Sequence, residues 1–185
     1  MDVPPVRPAA TLILIRDRAT SPRVLLGRRA DTAAFLPGTF VFPGGAVDPA
    51  DYTAVPEVGL RPETALALGD PAFAVAAVRE LFEETGLQLG KGLDLSALHY
   101  VFRAVTPPGY PRRFDARFFV ADAAHLSGDP DHLYPLEPEL TDLQWLSVHQ
   151  MDGFRLPSIT RFVLNDVIRR LPALEGPIPV PEVGI

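Results

Sequence analysis

The segment between Asp70 and Gly86 constrains the fold of this chain more than any other part of the sequence. Asp70 and Pro71 are typical of a helix start, with Asp as the N-cap residue and Pro at the first helical position. Gly86 is typical of a helix end, because glycine adopts the left-handed conformation readily. At about 100° per residue, a helix over residues 71–85 places apolar and acidic side chains on opposite sides. The predicted core side comprises Ala74, Val75, Val78, Leu81 and Phe82.

Three glutamates lie on one side of this predicted helix. Glu80, Glu83 and Glu84 stand at i, i+3 and i+4, where like charges destabilise a helix by about 0.2–0.5 kcal/mol per pair. They also lie toward the C-terminal end, where the helix dipole disfavours negative charge. Such spacing is more often a solvated acidic face than a cation site. Carboxylate oxygens are nevertheless the ligands that Mg²⁺ prefers, so spacing alone leaves both interpretations open.

Short apolar and β-branched stretches on either side of the helix predict strands. Residues 47–70 show no clear period and are predicted to be a long loop with a turn of helix near residues 62–68. Residues 158–171 have the spacing of a second amphipathic helix, with Ile159, Phe162, Val163, Val167 and Leu171 able to face a core. This order predicts an α/β fold with a mixed β-sheet sandwiched between α-helices. The predicted strands cover residues 10–16, 24–27, 39–42, 98–105, 114–121 and 143–147.

The length of 185 residues suits one domain, which is predicted to span residues 1–171. Residues 172–185 contain four prolines and are predicted to form a loose C-terminal tail.

Composition excludes several classes of site and partner. The absence of cysteine excludes disulfides, thiolate nucleophiles and sulfur-ligated metals. A formal charge of −6 argues against a nucleic-acid partner, because binding to that backbone needs a basic face. The longest apolar run, residues 72–78, is far shorter than the roughly 20 residues of a membrane span, and the first residues lack the features of a targeting peptide. We therefore expect a cytoplasmic protein with a small-molecule ligand and no membrane or nucleic-acid partner.

Residues 79–87, Arg-Glu-Leu-Phe-Glu-Glu-Thr-Gly-Leu, resemble the second half of the nudix box, Arg-Glu-U-x-Glu-Glu-x-Gly-U with U aliphatic, at every defined position. Upstream, residues 42–45, Phe-Pro-Gly-Gly, look like the glycine turn that opens the box. Five residues separate Gly45 from Asp51, which stands where the family usually has Glu. The chain departs from the family in spacing, because 27 residues rather than seven separate Asp51 from Arg79. The box is therefore split by an insertion at about residues 52–71, and the role of Asp51 is left open.

The resemblance implies a nudix fold and magnesium-dependent attack of water on a diphosphate linkage, with Mn²⁺ as an alternative cation. Arg79 would orient a carboxylate of the cluster. The general base is open between Glu80, Glu137 and Glu139. The implied catalytic residues are Arg79, Glu80, Glu84 and Glu139; the implied metal ligands are Glu80, Glu83, Glu84 and Gly45; the implied substrate contacts are Arg29, Arg103, Gly44 and Gly45.

Residues 25–30 and 35–45 resemble the nudix motif 19 branch, whose members also carry a split box and include coenzyme A diphosphatases. Against the signature associated with coenzyme A hydrolysis, the chain has Gly27 for Thr, Ala30 for Ser and Ala34 for the second Arg. We expect coenzyme A or acyl-coenzyme A as substrate. The alternatives are an ADP-ribose or nucleotide-sugar pyrophosphatase and, from another class, a nudix domain that senses a nucleotide without cleaving it. Family members are often dimers, so a homodimer is an alternative to a monomer.

Overall fold

The structure, a computed structural model, describes residues 4–137, 139–173 and 179–184, and a mixed β-sheet forms its centre. Three α-helices and eight strands lie within these ranges. The helices are α1 (Pro62–Leu68), α2 (Ala72–Thr85) and α3 (Ser158–Arg170). The strands are β1 (Val6–Arg16), β2 (Arg23–Arg29), β3 (Phe40–Val41), β4 (Gly44–Ala46), β5 (His99–Val105), β6 (Arg113–Asp122), β7 (Leu140–Ser147) and β8 (Glu182–Gly184).

The sheet runs in the order β3-β2-β1-β6-β5-β8, with β4 paired to β1 and β7 paired to β2. Strands β1 and β6 are parallel over ten residue pairs, whereas β1 pairs antiparallel with β2 and β4. One apolar core lies between the sheet and α2, and a second lies between the opposite face and α3. The predicted α/β sandwich is therefore confirmed. Within the described ranges, no helix has the length and apolar character needed to cross a membrane.

Helix α2 is buried more completely than its sequence pattern predicts. All seven residues from Ala72 to Val78 are buried, because the helix packs across β1 and β4. The helix begins at Ala72, one residue later than predicted, with Pro71 in the N-cap position. A side-chain oxygen of Asp70 accepts from the N–H of Ala72 at 2.9 Å, and Gly86 ends the helix in the left-handed conformation, as predicted. The predicted division into faces is wrong at two positions. Phe82 is 42% exposed, whereas Glu84 is only 2% exposed because it turns toward β4.

Helix α3 departs from its predicted core face in a similar way. Val163 and Val167 are fully buried, as predicted. Phe162 is instead half exposed, with its ring packed edge-on against Phe102. Leu164, which the pattern did not select, is buried in its place.

The predicted long loop before α2 is anchored at several points. The predicted turn of helix is α1, whose Thr64 hydroxyl donates to the carbonyl of Leu98 at 3.2 Å. Just before α1, Arg61 Nε donates to the carbonyl of Ser96 at 2.9 Å. The insertion therefore packs on the segment that leads into β5.

The prediction of a loose tail is wrong for residues 182–184, which form β8 on the edge of the sheet. The N–H of Arg103 in β5 donates to the carbonyl of Pro181 at 3.1 Å, and Arg103 Nη1 donates to Glu182 at 2.9 Å. Proline lacks an N–H but keeps its carbonyl acceptor, so it pairs with a strand edge on one side. Residues 174–178 and 185 of the predicted tail lie outside the described residues.

Candidate functional site

Two glycines allow β4 to lie between β1 and α2. A Cβ atom on Gly44 would stand 2.4 Å from the carbonyl oxygen of Ala10 in β1. A Cβ atom on Gly45 would stand 2.3 Å from a carboxylate oxygen of Glu80 in α2. A side chain at Gly44 would clash with the backbone of β1, and a side chain at Gly45 would displace the carboxylate of Glu80. The predicted turn at these glycines is instead a short strand paired with β1, and it brings the backbone against the glutamates of the helix.

Glu84 is the most deeply buried carboxylate of the helix. One of its oxygens accepts from the N–H of Gly44 at 2.8 Å, and the other is buried without a hydrogen-bond partner. Burial raises the pKa of Glu84 to about 8, opposed by the hydrogen bond from Gly44. Because an unsatisfied buried acceptor costs about 1–3 kcal/mol, binding of a proton, a water molecule or a cation at this oxygen would be favourable.

Glu80 and Glu139 extend the acidic site beyond Glu84. Burial raises the pKa of Glu80 to about 7, against the lowering effect of Arg79. The charge of Glu139 also raises the pKa of Glu80 and of Glu84, so its carboxylate acts electrostatically on both. Arg29 acts in the opposite direction and lowers the pKa of Glu84. The structure therefore brings together the helix glutamates, Glu139 and Arg29.

Arg79 uses all five of its N–H groups. Nε and Nη2 donate to the two oxygens of Asp51, each at 3.0 Å, and Nη2 also donates to the carbonyl of Ala46. Nη1 donates to Glu80 at 3.0 Å and to Glu83 at 2.8 Å. These hydrogen bonds raise the pKa of Arg79, with the bond to Asp51 contributing most. One guanidinium thus ties the helix to β4 and to the loop beyond it.

Asp51, whose role the sequence left open, is an ion-pair partner of Arg79. It is 3% exposed, and besides the bonds from Arg79 it accepts from the N–H of Asp48 at 2.8 Å. The insertion that separates Asp51 from Arg79 in sequence includes α1, and it packs against the segment that leads into β5. The two halves of the split box therefore meet in space. In the sequence, the feature that pointed to Asp51 was its position after the glycine pair.

The residues present suit a hard divalent cation by their chemistry. The glutamates offer carboxylate oxygens, which such cations prefer. One oxygen of Glu84 is buried without a partner, and the carboxylate of Glu80 lies against Gly45. As the side chains stand, no group of three acidic or histidine residues among those described converges on one point. Arg79 Nη1 bridges Glu80 and Glu83 instead.

Arg29 and Arg103, both expected to contact substrate, have different surroundings. Arg29 stands at the end of β2 near Glu84, and its Nε is buried without a partner. Arg103 binds Asp115 through two hydrogen bonds of 2.8 and 2.9 Å and binds Glu182 through a third. Among the described residues, no hydrogen bond or ion pair joins Arg103 to the glutamate cluster. Glu137 has an exposed side chain, and its backbone N–H donates to the carbonyl of Glu83 at 3.0 Å.

Comparison with known proteins places this site in a family. The NUDIX domain matches residues 5–169 of the chain. A provisionally named nudix hydrolase 7 from Caenorhabditis elegans is 31% identical over 171 residues, which cover 76% of this chain and 51% of that protein. The human acyl-coenzyme A diphosphatase NUDT19 is 31% identical over 157 residues, which cover 59% of this chain and 40% of that protein. The chain thus spans about half the length, or less, of these curated relatives.

Solved structures agree with these matches. A NUDIX hydrolase from Alicyclobacillus acidocaldarius superposes with a TM-score of 0.76 at 32% identity, covering 92% of this chain and 97% of that one. The NUDIX domain of Shewanella oneidensis NrtR superposes with a TM-score of 0.62 at 12% identity, covering 90% and 89%, which shows a shared fold. With the family domain matched along nearly all of its length and the split box assembled in space, the chain belongs to the nudix family.

Proposed function

We propose that this chain hydrolyses the diphosphate linkage of a nucleoside diphosphate derivative, with Mg²⁺ or Mn²⁺ as cofactor. The observation that carries the proposal is the buried carboxylate of Glu84. It is fixed by Gly44 on one oxygen and unpartnered on the other, beside the carboxylate of Glu80. A purely structural site gains nothing from this arrangement, because buried like charges oppose folding.

The chain's own groups have separate roles in this reaction. Glu80, Glu83 and Glu84, with the carbonyl of Gly45, would hold the cation. When bound, the cation supplies charge neutralisation at the diphosphate oxygens and lowers the pKa of attacking water. Arg79 orients Glu80 and Glu83, since it donates to both from one nitrogen. The N–H of Gly44 holds Glu84 in place, and the absence of side chains at Gly44 and Gly45 leaves room for β1 and for the carboxylate of Glu80.

We assign the general base to Glu139. Its side chain is exposed at the edge of the glutamate cluster, so it is accessible to a water molecule that attacks phosphorus. Glu80 is the first alternative, but it already accepts a hydrogen bond from Arg79. Glu137 is the second alternative, and it meets the cluster through its backbone N–H, which donates to the carbonyl of Glu83. Arg29 is the proposed phosphate contact, because its Nε has no protein partner.

The proposed substrate is coenzyme A or acyl-coenzyme A. The resemblance to the motif 19 branch and the 31% identity with an acyl-coenzyme A diphosphatase support this choice. ADP-ribose or a nucleotide sugar is the second candidate, because the chain departs from the coenzyme A signature at Gly27 and Ala34. The departure at Gly27 has a structural cause. A Cβ atom there would stand 2.8 Å from the Cβ of Leu140 in β7, so the Thr of the signature does not fit.

The metal assignment is tested with Glu83→Gln and Glu84→Gln. Each change removes a charge and keeps the shape of the side chain, so the fold should survive by circular dichroism. We expect magnesium-dependent turnover to fall by more than about 10²-fold, because loss of residues that merely support metal ligands already costs 10–100-fold. Glu63→Gln is the matched control, since Glu63 is an exposed acid in the first turn of α1. Normal activity in both site variants would contradict the assignment.

The substrate class is tested with a panel of coenzyme A, acyl-coenzyme A, ADP-ribose and NADH in the presence of Mg²⁺. Cleavage of the coenzyme A compounds supports the first candidate. Cleavage of ADP-ribose alone would make the second candidate correct. Binding of a nucleotide by calorimetry without cleavage of any compound would instead indicate a sensing domain.

A further inference from the structure

A segment that we call the strap, residues 130–137, crosses the C-terminal end of α2. The N–H of Tyr134 donates to the carbonyl of Thr85 at 2.9 Å. The N–H groups of Leu136 and Glu137 both donate to the carbonyl of Glu83, at 2.8 and 3.0 Å. Carbonyl groups in the last turn of a helix have no partner within the helix, so the strap satisfies groups that would otherwise need water.

Gly86 shows how closely the strap lies against the helix. A Cβ atom on Gly86 would stand 2.5 Å from the carbonyl oxygen of Tyr134. Gly86 is therefore required for two reasons, because its left-handed conformation ends α2 and its lack of a side chain admits the strap.

The strap begins at an anchor made by two strands of the sheet. Trp145 in β7 donates from its indole nitrogen to the carbonyl of Pro130 at 2.9 Å. Arg16 at the end of β1 donates to a carboxylate oxygen of Asp131 at 2.5 Å. The guanidinium of Arg16 also lies 4.7 Å from the centre of the Trp145 ring, which is a cation–π distance. The side chain of Arg16 is only 15% exposed, so its guanidinium is held between Asp131 and the Trp145 ring.

Glu139 lies where the strap returns to the sheet. On the strap side, Glu137 is bonded through its N–H to the backbone of Glu83. On the other side, Leu140 is the first residue of β7 and pairs with Arg29 of β2. The backbone around Glu139 is thus held at two points, one on the helix that carries the glutamates and one on the strand that carries Arg29.

We propose that Arg16 and Trp145 are positioning residues for Glu139. They hold the strap against α2, and the strap sets where Glu139 stands relative to Glu80 and Glu84. Within the described part of the chain, neither residue has a hydrogen bond or ion pair to the acidic cluster, so both act through the strap. This inference rests on the proposed function in one respect, the assignment of Glu139 as general base.

The strap is tested first without activity, by amide hydrogen exchange. In Arg16→Gln and in Trp145→Phe, the three strap amides that donate to α2 should lose about tenfold in protection, while the buried first turns of α2 keep theirs, since exchange reports local opening. Asp131→Asn provides a milder variant, because Asp131 is an exposed partner whose loss does not threaten folding. Arg161→Gln is the matched control, since Arg161 pairs with the exposed Asp152 far from the strap in sequence. Unchanged protection of the strap amides would overturn the proposal.

The link to Glu139 is tested by a double-mutant cycle. Arg16→Gln should lower kcat by about tenfold with little change in KM, because displacements of about 1 Å at a reacting group cost up to 10²-fold. In the Glu139→Gln background the same change should have no further effect on kcat. An equal loss in both backgrounds, or full activity in Glu139→Gln, would overturn the positioning role. If the wild type cleaves no diphosphate, the proposed function fails, and hydrogen exchange still decides whether Arg16 and Trp145 hold the strap.

Discussion

Replacing Asp51 by Asn should destabilise this protein strongly, although position 51 lies outside the helix that carries the glutamates. Asp51 is almost completely buried and accepts two parallel hydrogen bonds of 3.0 Å from Arg79. An amide in its place would accept one of these bonds and turn an N–H₂ group toward the other donor. Arg79 would then keep its bonds to Glu80, Glu83 and Ala46 but carry one unpaired N–H.

The size of the effect follows from the burial of the two partners. Removing one member of a fully buried ion pair costs about 3–5 kcal/mol. The Arg79 side chain is partly exposed and retains three of its partners, so we expect a loss of about 2–3 kcal/mol, near the range for a hydrogen bond to a charged group. For a chain of this length, such a loss lowers Tm by about 4–12 °C.

Urea denaturation of the wild type, Asp51→Asn and Asp48→Asn measures this difference directly. Asp48 is a matched control, because its side chain is 61% exposed and lies 3.9 Å from Arg79, where an ion pair contributes about 0–1 kcal/mol. Stabilities of Asp51→Asn and Asp48→Asn that agree within about 0.5 kcal/mol, the range of ordinary surface substitutions, would refute the idea that Asp51 joins the two halves of the split box.

Three further predictions concern residues around the site. Gly45→Ala should abolish turnover and leave the circular dichroism spectrum unchanged, because its Cβ would displace the carboxylate of Glu80. Hydrogen bonds from Arg103 lower the pKa of Asp115 to about 2. Its stabilising effect is therefore present above its unfolded pKa of about 3.9, and the Tm difference between wild type and Asp115→Asn should shrink as the pH falls from about 5 toward 2. Arg103→Gln should lower Tm and leave KM within about twofold, because Arg103 is held by Asp115 and Glu182. A KM raised by tenfold or more, equivalent to about 1.4 kcal/mol of binding, would instead support the substrate role expected from the family.

Features that depend on local sequence were predictable. The start and end of α2 were predictable from Asp70, which accepts from the N–H of Ala72, and from the glycine after Thr85. The spacing of its glutamates follows from the geometry of any helix. Six of the eight described strands and the packing of helices on both faces of the sheet also followed from short-range apolar patterns. The box motif predicted a metal-binding role for the glutamates, whereas helical geometry alone was more consistent with a solvated surface.

Features that depend on contacts distant in sequence were not predictable. The burial of Glu84 and the exposure of Phe82 result from the approach of β4, which the helix pattern does not contain. The pairing of β8 uses carbonyl groups of a proline-rich segment, whose composition is typical of a loose tail. The strap binds α2 through backbone N–H groups, and backbone groups are present at every non-proline residue, so they leave no sequence signature.

The electrostatics of the site indicate why its parts occur together. Five carboxylates, those of Asp51, Glu80, Glu83, Glu84 and Glu139, share the charges of Arg79 and Arg29. Arg79 compensates Asp51 and bridges two of the glutamates, but Glu84 has only one N–H donor and a more distant arginine. A diphosphate would add further negative charge, so it cannot bind beside these residues without an accompanying cation. Under the proposed function, the acidic cluster, the two glycines and the guanidinium of Arg79 would together hold a cation where a phosphate binds, at a cost in stability.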